Sequence, residues 1–366
     1  MIIKNAKVFI DDKFIETDIT VNDSVITAIG ISEATEFLDM KNKYIIPGLV
    51  DIHTHGCAGA DFSSANSQEI DRMRKYYLKN GITSILATTV ALSDDNIRKC
   101  CSEIKKNMSE KTEGADILGI NLEGPYLSPK KCGAHDITLL KEPDIEFIDS
   151  LGDEVKVVHV APEYERAFDF IKKFKGKVSI AHTACNYATA TEAIRLGADH
   201  ITHIFNAMNP LHHREPGVIG AFFDSDAIAE MIGDSIHIAS PILRMMFHAY
   251  SDRIAVISDS MAATGLSDGT YKLGDLEVFV KDSVATLADG TLAGSAMNLF
   301  GMMTNLIKIG VKPEKAIKSV TSIPADSVGL GDVCGKIKEG RKADMIVLNE
   351  NFEIDHIIFN GEIISC

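Results

Sequence analysis

The sequence predicts a (β/α)8 barrel of the TIM type joined to a small β-sandwich domain built from both chain ends. Three observations predict it. Short apolar runs alternate with amphipathic stretches through the middle of the chain, which implies parallel sheet. Eight such runs occur, over roughly the ~250 residues typical of a (β/α)8 barrel. Both ends, by contrast, are short β-branched segments separated by polar turns, which favours antiparallel pairing. A doubly wound open sheet is the alternative for the middle.

The N-terminal segments are Ile2 to Phe9, Phe14 to Val21 and Val25 to Gly30. The C-terminal ones are Ala343 to Leu348 and His356 to Ile364. They assign residues 1–48 and 335–366 to the small domain and 49–334 to the barrel. The barrel runs are Val50 to His55, Ser84 to Thr89, Ile117 to Glu123 and Val155 to Val160, then Val178 to Thr183, His200 to Phe205, Ile228 to Gly233 and Ile254 to Asp259. Helical stretches between them include Gln68 to Lys79, Asp94 to Asn107 and the shorter Ala188 to Leu196.

Composition bounds the function. The chain has 366 residues, 45% of them apolar, enough for one large core with or without a small second domain. A net charge of −15 argues against nucleic acid, whose affinity rests on many Lys and Arg contacts to phosphate. A single small anion stays open, because a local cation cluster overrides the global field at short range. No run of 18 apolar residues free of charge occurs, so no membrane-spanning helix is expected. Met1 to Phe9 lacks the apolar core and cleavage site of a signal peptide, so a cytoplasmic location is expected. The seven cysteines, Cys57, Cys100, Cys101, Cys132, Cys185, Cys334 and Cys366, are odd in number and form no C-x-x-C, which fits reduced thiols.

Barrel chemistry sits at the C-terminal ends of the strands, so the residues ending each run matter. The first run ends in His53 and His55. Residues two apart on a strand face the same way, and neutral imidazole is a common zinc ligand. Two unrelated histidines near a turn remain the alternative. The third run ends in Glu123, which can bind one metal, bridge two, or be a loop carboxylate. The fifth ends at His182 and the sixth contains His203. Each alone reads as an ordinary histidine; together on different strands they read as a metal site. The eighth ends in Asp259, either a helix N-cap or a carboxylate placed to move protons. Cys57 and Cys185, close in sequence to these candidate ligands, read as small packed residues, with metal-adjacent thiols as the alternative. Leu211-His212-His213-Arg214 is a local cationic cluster; taken alone it reads as an ordinary polar loop, with an arginine fork that suits phosphate as the other reading.

At this point the chain resembles the amidohydrolase superfamily and, within it, the N-acetylglucosamine-6-phosphate deacetylases. The resemblance rests on Ile46-Pro47-Gly48-Leu49-Val50-Asp51-Ile52-His53-Thr54-His55-Gly56, Leu122-Glu123-Gly124-Pro125-Tyr126 and Thr202-His203-Ile204-Phe205-Asn206-Ala207-Met208. It extends to Arg214-Glu215-Pro216-Gly217, Ser258-Asp259 and Leu292-Ala293-Gly294-Ser295, in the family's order over nearly the whole chain. The first stretch is shared across many amidohydrolases; the Leu-Glu-Gly-Pro, His-x-x-Asn-Ala-Met and Arg-Glu-Pro-Gly stretches are more selective.

The resemblance implies that Glu123, His182 and His203 hold the main metal and that His53 and His55 permit a second. It implies one or two divalent ions per subunit, zinc first, with iron, manganese or cobalt as alternatives. It makes Asp259 the general base and then acid, and His135 the group that orients or polarises the acetamide carbonyl. Ala134, Asn206, Ala207 and the Leu292-Ala293-Gly294 turn are implied sugar contacts. Arg214 and His237, with Asp234, are implied at the 6-phosphate, lent across a homodimer interface. Some superfamily members bridge two metals with a carboxylated lysine; here the fourth run reads Val158-His159-Val160-Ala161-Pro162 and offers none.

The implied reaction is hydrolysis of N-acetylglucosamine 6-phosphate to glucosamine 6-phosphate and acetate. Three alternatives stand beside it: the same chemistry on the galactosamine epimer, an amidohydrolase acting on a cyclic amide, and a non-catalytic barrel. The last should have lost ligands or Asp259, and none is missing.

Overall fold

The computed structural model describes residues 1–110 and 113–364, so Cys366 lies outside the described residues. Eight parallel strands, Leu49–Thr54, Ile82–Thr89, Asp116–Leu122, Val155–Val160, Lys177–Ile180, Ala198–Ile201, Ile228–Ile232 and Ile254–Ile257, pair in chain order. The eighth strand meets the first through single bonds. The Asp259 amide donates to the His53 carbonyl (3.0 Å), and the Ser258 amide donates to Asp51 Oδ1 (3.2 Å). Burial in this seam pushes the Asp51 carboxyl up to about 6. Every residue of Ile82–Thr89 is buried, as expected of a parallel sheet covered on both faces. That coverage is why these strands read as nearly unbroken apolar runs rather than as alternation.

The helices start where their sequences say they should. Asn66 caps Ser67–Lys79 and shares a capping box with Glu69, while Ile70, Met73 and Tyr77 form its buried stripe. Ser93 caps Asp94–Ser109 through the Asn96 amide, and Asn186 caps Tyr187–Leu196 through that of Thr189. No helix among the described residues is long and apolar enough to cross a membrane.

The two chain ends form one mixed sheet. It comprises Ile2–Ile10, Lys13–Asn22, Val25–Ile29, Leu38–Asp39, Tyr44–Pro47, Met345–Leu348, Ile354–Phe359 and Glu362–Ile364. Asp11 and Asp12, both at positive φ (47° and 63°), make the two-residue turn of its first hairpin. Ile3, Val8, Ile19, Ile45, Met345 and Ile358 share a core separate from that of the barrel. The edge strand Val25–Ile29 bonds back to residues 340–343, with the Ile26 amide on the Arg341 carbonyl and the Ala343 amide on that of Ser24. The two ends of the sheet thus meet around that core.

One residue separates the two sheets at Gly48. A Cβ there would lie 2.2 Å from Thr83 Oγ1 and 2.4 Å from Thr83 Cγ2, so only glycine lets the strands pass this closely. After the eighth strand comes an antiparallel insert, Gly269–Leu273, Leu276–Lys281 and Val284–Thr286, which the sequence reading left unassigned. Its half-exposed, alternating strands carry little apolar signal, yet it leads the chain into the Leu292–Gly294 turn at the barrel mouth. The six described cysteines are all free.

Candidate active site

At the C-terminal mouth of the barrel lies a cavity of about 270 Å³. Its walls include His55, Glu123, Ala134, His135, His182, His203, Asn206, Ala207, His237, Asp259, Leu292 and Gly294. His53 lies fully buried, within reach of Glu123 and Asp259. Ala293 is fully buried and is not part of the wall. Asp234 stands behind His237, and Arg214 is exposed on its own loop away from the walls.

These side chains leave the barrel just past the strands. Glu123 follows the third strand directly, and His182, His203 and Asp259 come two residues beyond theirs. The last three adopt positive φ (41°, 27° and 47°), a conformation costly for residues with a Cβ. The kink turns each chain out of the strand direction at the point where its side chain must face the axis.

Glu123 organises the centre with its two oxygens. Oε1 lies 2.9 Å from His203 Nε2 and 3.2 Å from His182 Nε2. Oε2 lies 3.0 Å from His55 Nε2 and 3.5 Å from both His53 Nε2 and His135 Nε2. Asp259 Oδ1 completes the second half, 3.2 Å from His55 Nε2 and 3.5 Å from His53 Nε2.

The hydrogen bonds fix two tautomers. His182 Nδ1–H donates to the Lys131 carbonyl (2.8 Å), which leaves its Nε2 as a bare lone pair. That lone pair faces His203 Nε2 at 3.1 Å and a carboxylate oxygen. His53 Nδ1–H donates to Glu230 Oε2 (3.0 Å), so its Nε2 likewise faces His55 Nε2 at 3.4 Å. Lone pairs turned on one another and on carboxylates repel unless a cation sits among them. Donors bonded to zinc at about 2.0–2.1 Å in a tetrahedron are spaced by roughly 3.3 Å. The observed 2.9–3.5 Å separations fit that requirement on both sides of Glu123. The residues therefore suit one divalent ion beside His182 and His203, and another beside His53, His55 and Asp259.

The electrostatics say the same. Burial opposes the charged form of His55, but Asp259 and Glu123 outweigh it and raise the ring to about 9. His53 is pushed up for the same reason, against burial and by Glu123, Glu230 and Asp259. Burial opposes the ionised carboxylates too, but the surrounding imidazoles hold Glu123 and Asp259 below the usual carboxylate range. Absent an ion, the cluster holds protons where positive charge is needed.

His135 is different. Burial pushes it down to about 4, so it is neutral, and its Nδ1 accepts from the Ala91 amide at 3.2 Å. Its proton therefore sits on Nε2, facing the cavity. His237 donates Nδ1–H to Asp234 Oδ2 at 2.7 Å; burial lowers its pKa, but Asp234 more than offsets this and the ring is raised. Asp234 also accepts from the Ile236 and His237 amides and from Ser295, so its role is to hold His237.

Cys57 and Cys185 are packed thiols. Burial pushes Cys185 up to about 12 and Cys57 further still, and neither joins the clusters of donor atoms. His212 and His213 are exposed, with Arg214 Nη1 3.1 Å from His213 Nε2. The sequence reading missed His159, His200 and Glu230, all fully buried beneath the site. A signal existed for Glu230, the one polar residue in the otherwise apolar strand Ile228–Ile232; His159 and His200 share their strands with Lys156 and Asp199.

Residues 44–364 match the model of the amidohydrolase family. The chain is 32% identical to the N-acetylglucosamine-6-phosphate deacetylase of Bacillus subtilis, over 99% of this chain and 96% of that protein. It is also 32% identical to the N-acetylgalactosamine-6-phosphate deacetylase of Escherichia coli, over 88% of each. A Mycobacterium smegmatis N-acetyl-D-glucosamine-6-phosphate deacetylase variant, solved in complex with N-acetyl-D-glucosamine-6-phosphate, matches with a TM-score of 0.93 at 29% identity, covering 99% of this chain and 98% of that one. The N-acetylglucosamine-6-phosphate deacetylase of Thermotoga maritima matches with a TM-score of 0.90 at 30% identity over 99% of each chain.

Proposed function

Because the chain belongs to the amidohydrolase family, we propose that it hydrolyses the acetamide of N-acetyl-D-glucosamine 6-phosphate, releasing acetate and D-glucosamine 6-phosphate. The observation that carries this is the division of Glu123 between two sets of imidazoles, with Asp259 and a neutral His135 on the same cavity wall. Nearly full-length likeness to deacetylases of this substrate class supports the choice of amide.

Glu123, His182 and His203 would hold one divalent ion, and His53 and His55, with Asp259 beside them, would hold a second; zinc suits this nitrogen and oxygen donor set. A bound ion of this kind acidifies water toward pH 7 and polarises a carbonyl. Asp259, kept ionised, takes the proton of the attacking water and passes it to the departing nitrogen. His135 donates its Nε2–H to the acetamide oxygen as negative charge develops there. Asn206, Ala207, Ala134 and the Leu292–Gly294 turn shape the sugar subsite. His237, its Nδ1–H held by Asp234, faces the 6-phosphate. Arg214 is exposed, away from its own cavity, and makes no ion pair among the described residues, which supports a homodimer in which each subunit lends Arg214 to the other. Free cysteines support a reducing, cytoplasmic setting.

The test is acetate release from four substrates, N-acetylglucosamine and N-acetylgalactosamine, each with and without the 6-phosphate, with metal content measured on the same sample. The expected result is highest kcat/KM on the glucosamine phosphate and none after complete metal removal. A preference for the galactosamine phosphate keeps the mechanism and changes the epimer, an outcome the Escherichia coli relative keeps in view. Full activity in a verified metal-free sample overturns the reading.

A further inference from the structure

Beneath the cavity most buried side chains have at least one polar atom bonded, although single atoms such as Asn121 Oδ1, His55 Nδ1 and His203 Nδ1 lack partners. Glu230 takes His53 Nδ1 on Oε2 (3.0 Å) and His200 Nδ1 on Oε1 (3.2 Å), and His200 Nε2–H donates to the Ser327 carbonyl (3.2 Å). Asn121 Nδ2 donates to the Ile52 carbonyl. His159, at the end of the fourth barrel strand, is fully buried, and neither of its ring nitrogens has a hydrogen-bond partner. Among the described residues no other buried imidazole or carboxylate lacks a partner on every polar atom.

His159 is aimed at the centre rather than into packing. Its Nδ1 lies 3.6 Å from Glu123 Oε1, the oxygen that faces His182 and His203. Its ring centroid is 5.0 Å from that of His53. One of its nitrogens lies within 4.8 Å of donor atoms of both His53 and Glu230. A separation of 3.6 Å is too long for a hydrogen bond, which wants about 2.7–3.2 Å. It is close to the roughly 3.3 Å that separates two donors bound to one tetrahedral ion. Glu230, already accepting two imidazoles, is committed elsewhere.

We propose that His159 is a further metal ligand, its Nδ1 sharing with Glu123 Oε1 the ion held on the His182 and His203 side. This rests on the metal-dependent reading above. It brings the fourth strand into the site and gives the orphaned imidazole its partner. His159 would be the fourth protein donor to that ion, so a water or substrate oxygen would enter from the mouth side as a fifth. The ligand is neutral, so the centre keeps two carboxylates, Glu123 and Asp259, against its positive charge.

The experiment measures zinc per subunit and zinc retention against a competing chelator for the wild type, His159→Gln and His159→Ala, with circular dichroism confirming the fold. Removal of a direct ligand should weaken retention of one ion by at least about tenfold, the lower end of what outer partners alone cost. Unchanged stoichiometry with retention within twofold in a folded variant overturns the proposal. A crystal structure of zinc-loaded wild type decides the matter should the variants fail to fold. A His159 nitrogen about 2.0–2.3 Å from an ion supports the assignment, and a longer separation refutes it. A wild type that is fully active with no divalent ion bound overturns the function itself, whereas an active, metal-loaded wild type with indifferent variants removes only His159.

Discussion

Replacing Asp259 with asparagine isolates one proton-transfer group while sparing the scaffold. The Asp259 backbone is pinned on both sides, its amide on the His53 carbonyl (3.0 Å) and its carbonyl receiving the Ser295 amide (2.8 Å). Asparagine matches aspartate in shape and tolerates the φ of 47° found here. The fold and the sugar subsite should therefore survive. What disappears is a carboxylate that can accept a proton and return it. General base catalysis of this kind is worth about 10²–10⁴ in rate, or roughly 2.7–5.4 kcal/mol on the barrier. Because no substrate-holding group is altered, the loss should fall on kcat, with KM changed by only about threefold. Asp259 Oδ1 also lies 3.2 Å from His55 Nε2, so the variant must be assayed with its metal content measured and made equal to that of the wild type. Steady-state acetate release over a range of N-acetylglucosamine 6-phosphate concentrations gives both constants. A metal-replete variant with kcat within tenfold of the wild type refutes the assignment of Asp259 as proton carrier.

Arg214→Ala should raise KM for the phosphorylated sugar by roughly 10- to 150-fold, since hydrogen bonds to a charged group contribute about 1.5–3 kcal/mol, and leave the unphosphorylated sugar unaffected. Equal effects on both would remove Arg214 from the phosphate site. Mixing refolded Arg214→Ala and Asp259→Asn subunits should restore activity well above either parent if the arginine is lent across a dimer; no recovery argues for a site complete within one chain. His55, raised from 6.5 to about 9 by Asp259 and Glu123 against its burial, stabilises the metal-free fold fully below pH 6.5, by roughly 3 kcal/mol, and that contribution is lost as pH rises toward 9. Ions displace the same protons and bind better as pH rises, so the Tm difference between zinc-loaded and metal-free protein should widen from pH 6.5 to 9; a constant difference contradicts this. Gly48→Ala drives a Cβ to 2.2 Å from Thr83 Oγ1 and should cost about 1–3 kcal/mol in chemical denaturation, partly recovered by adding Thr83→Ala; an unchanged midpoint would mean that the crossing of the two sheets is slack.

Much of this fold is legible in the sequence because its strands are two-sided. A strand buried on both faces, such as Ile82–Thr89, carries an apolar run that survives without neighbours to explain it. The terminal segments are legible for another reason, as short β-branched runs separated by polar turns. The insert of residues 269–286 escapes because its strands are short and half-exposed and draw their order from one another. At the site, the residues ending strands are readable, since barrel topology says where to look. Glu230, His200 and His159 are harder. Their meaning lies in contacts across 30 or more positions, as between His200 and Glu230 or His53 and Glu230. Arg214 lies beyond what one chain can display, because its proposed partner belongs to another copy.

Backbone strain is the part that no motif announces. His182, His203 and Asp259 hold positive φ, each at a cost of order 1–3 kcal/mol that the surroundings must offset. The offsets are visible. The His182 carbonyl receives the Ser128 amide, the His203 carbonyl receives the Asn206 amide, and Asp259 is bonded through both its amide and its carbonyl. His182, His203 and Asp259 stand two residues past the fifth, sixth and eighth strands, where the positive φ sets the direction of the side chain. The kinks let Nε2 atoms from the fifth and sixth strands approach to 3.1 Å on one carboxylate oxygen while Asp259 serves the other side. That convergence sets imidazole nitrogens against one another, which a proton or a metal ion among them relieves. Metal affinity here is thus partly a property of the backbone, which is why the identities of the histidines alone understate the site.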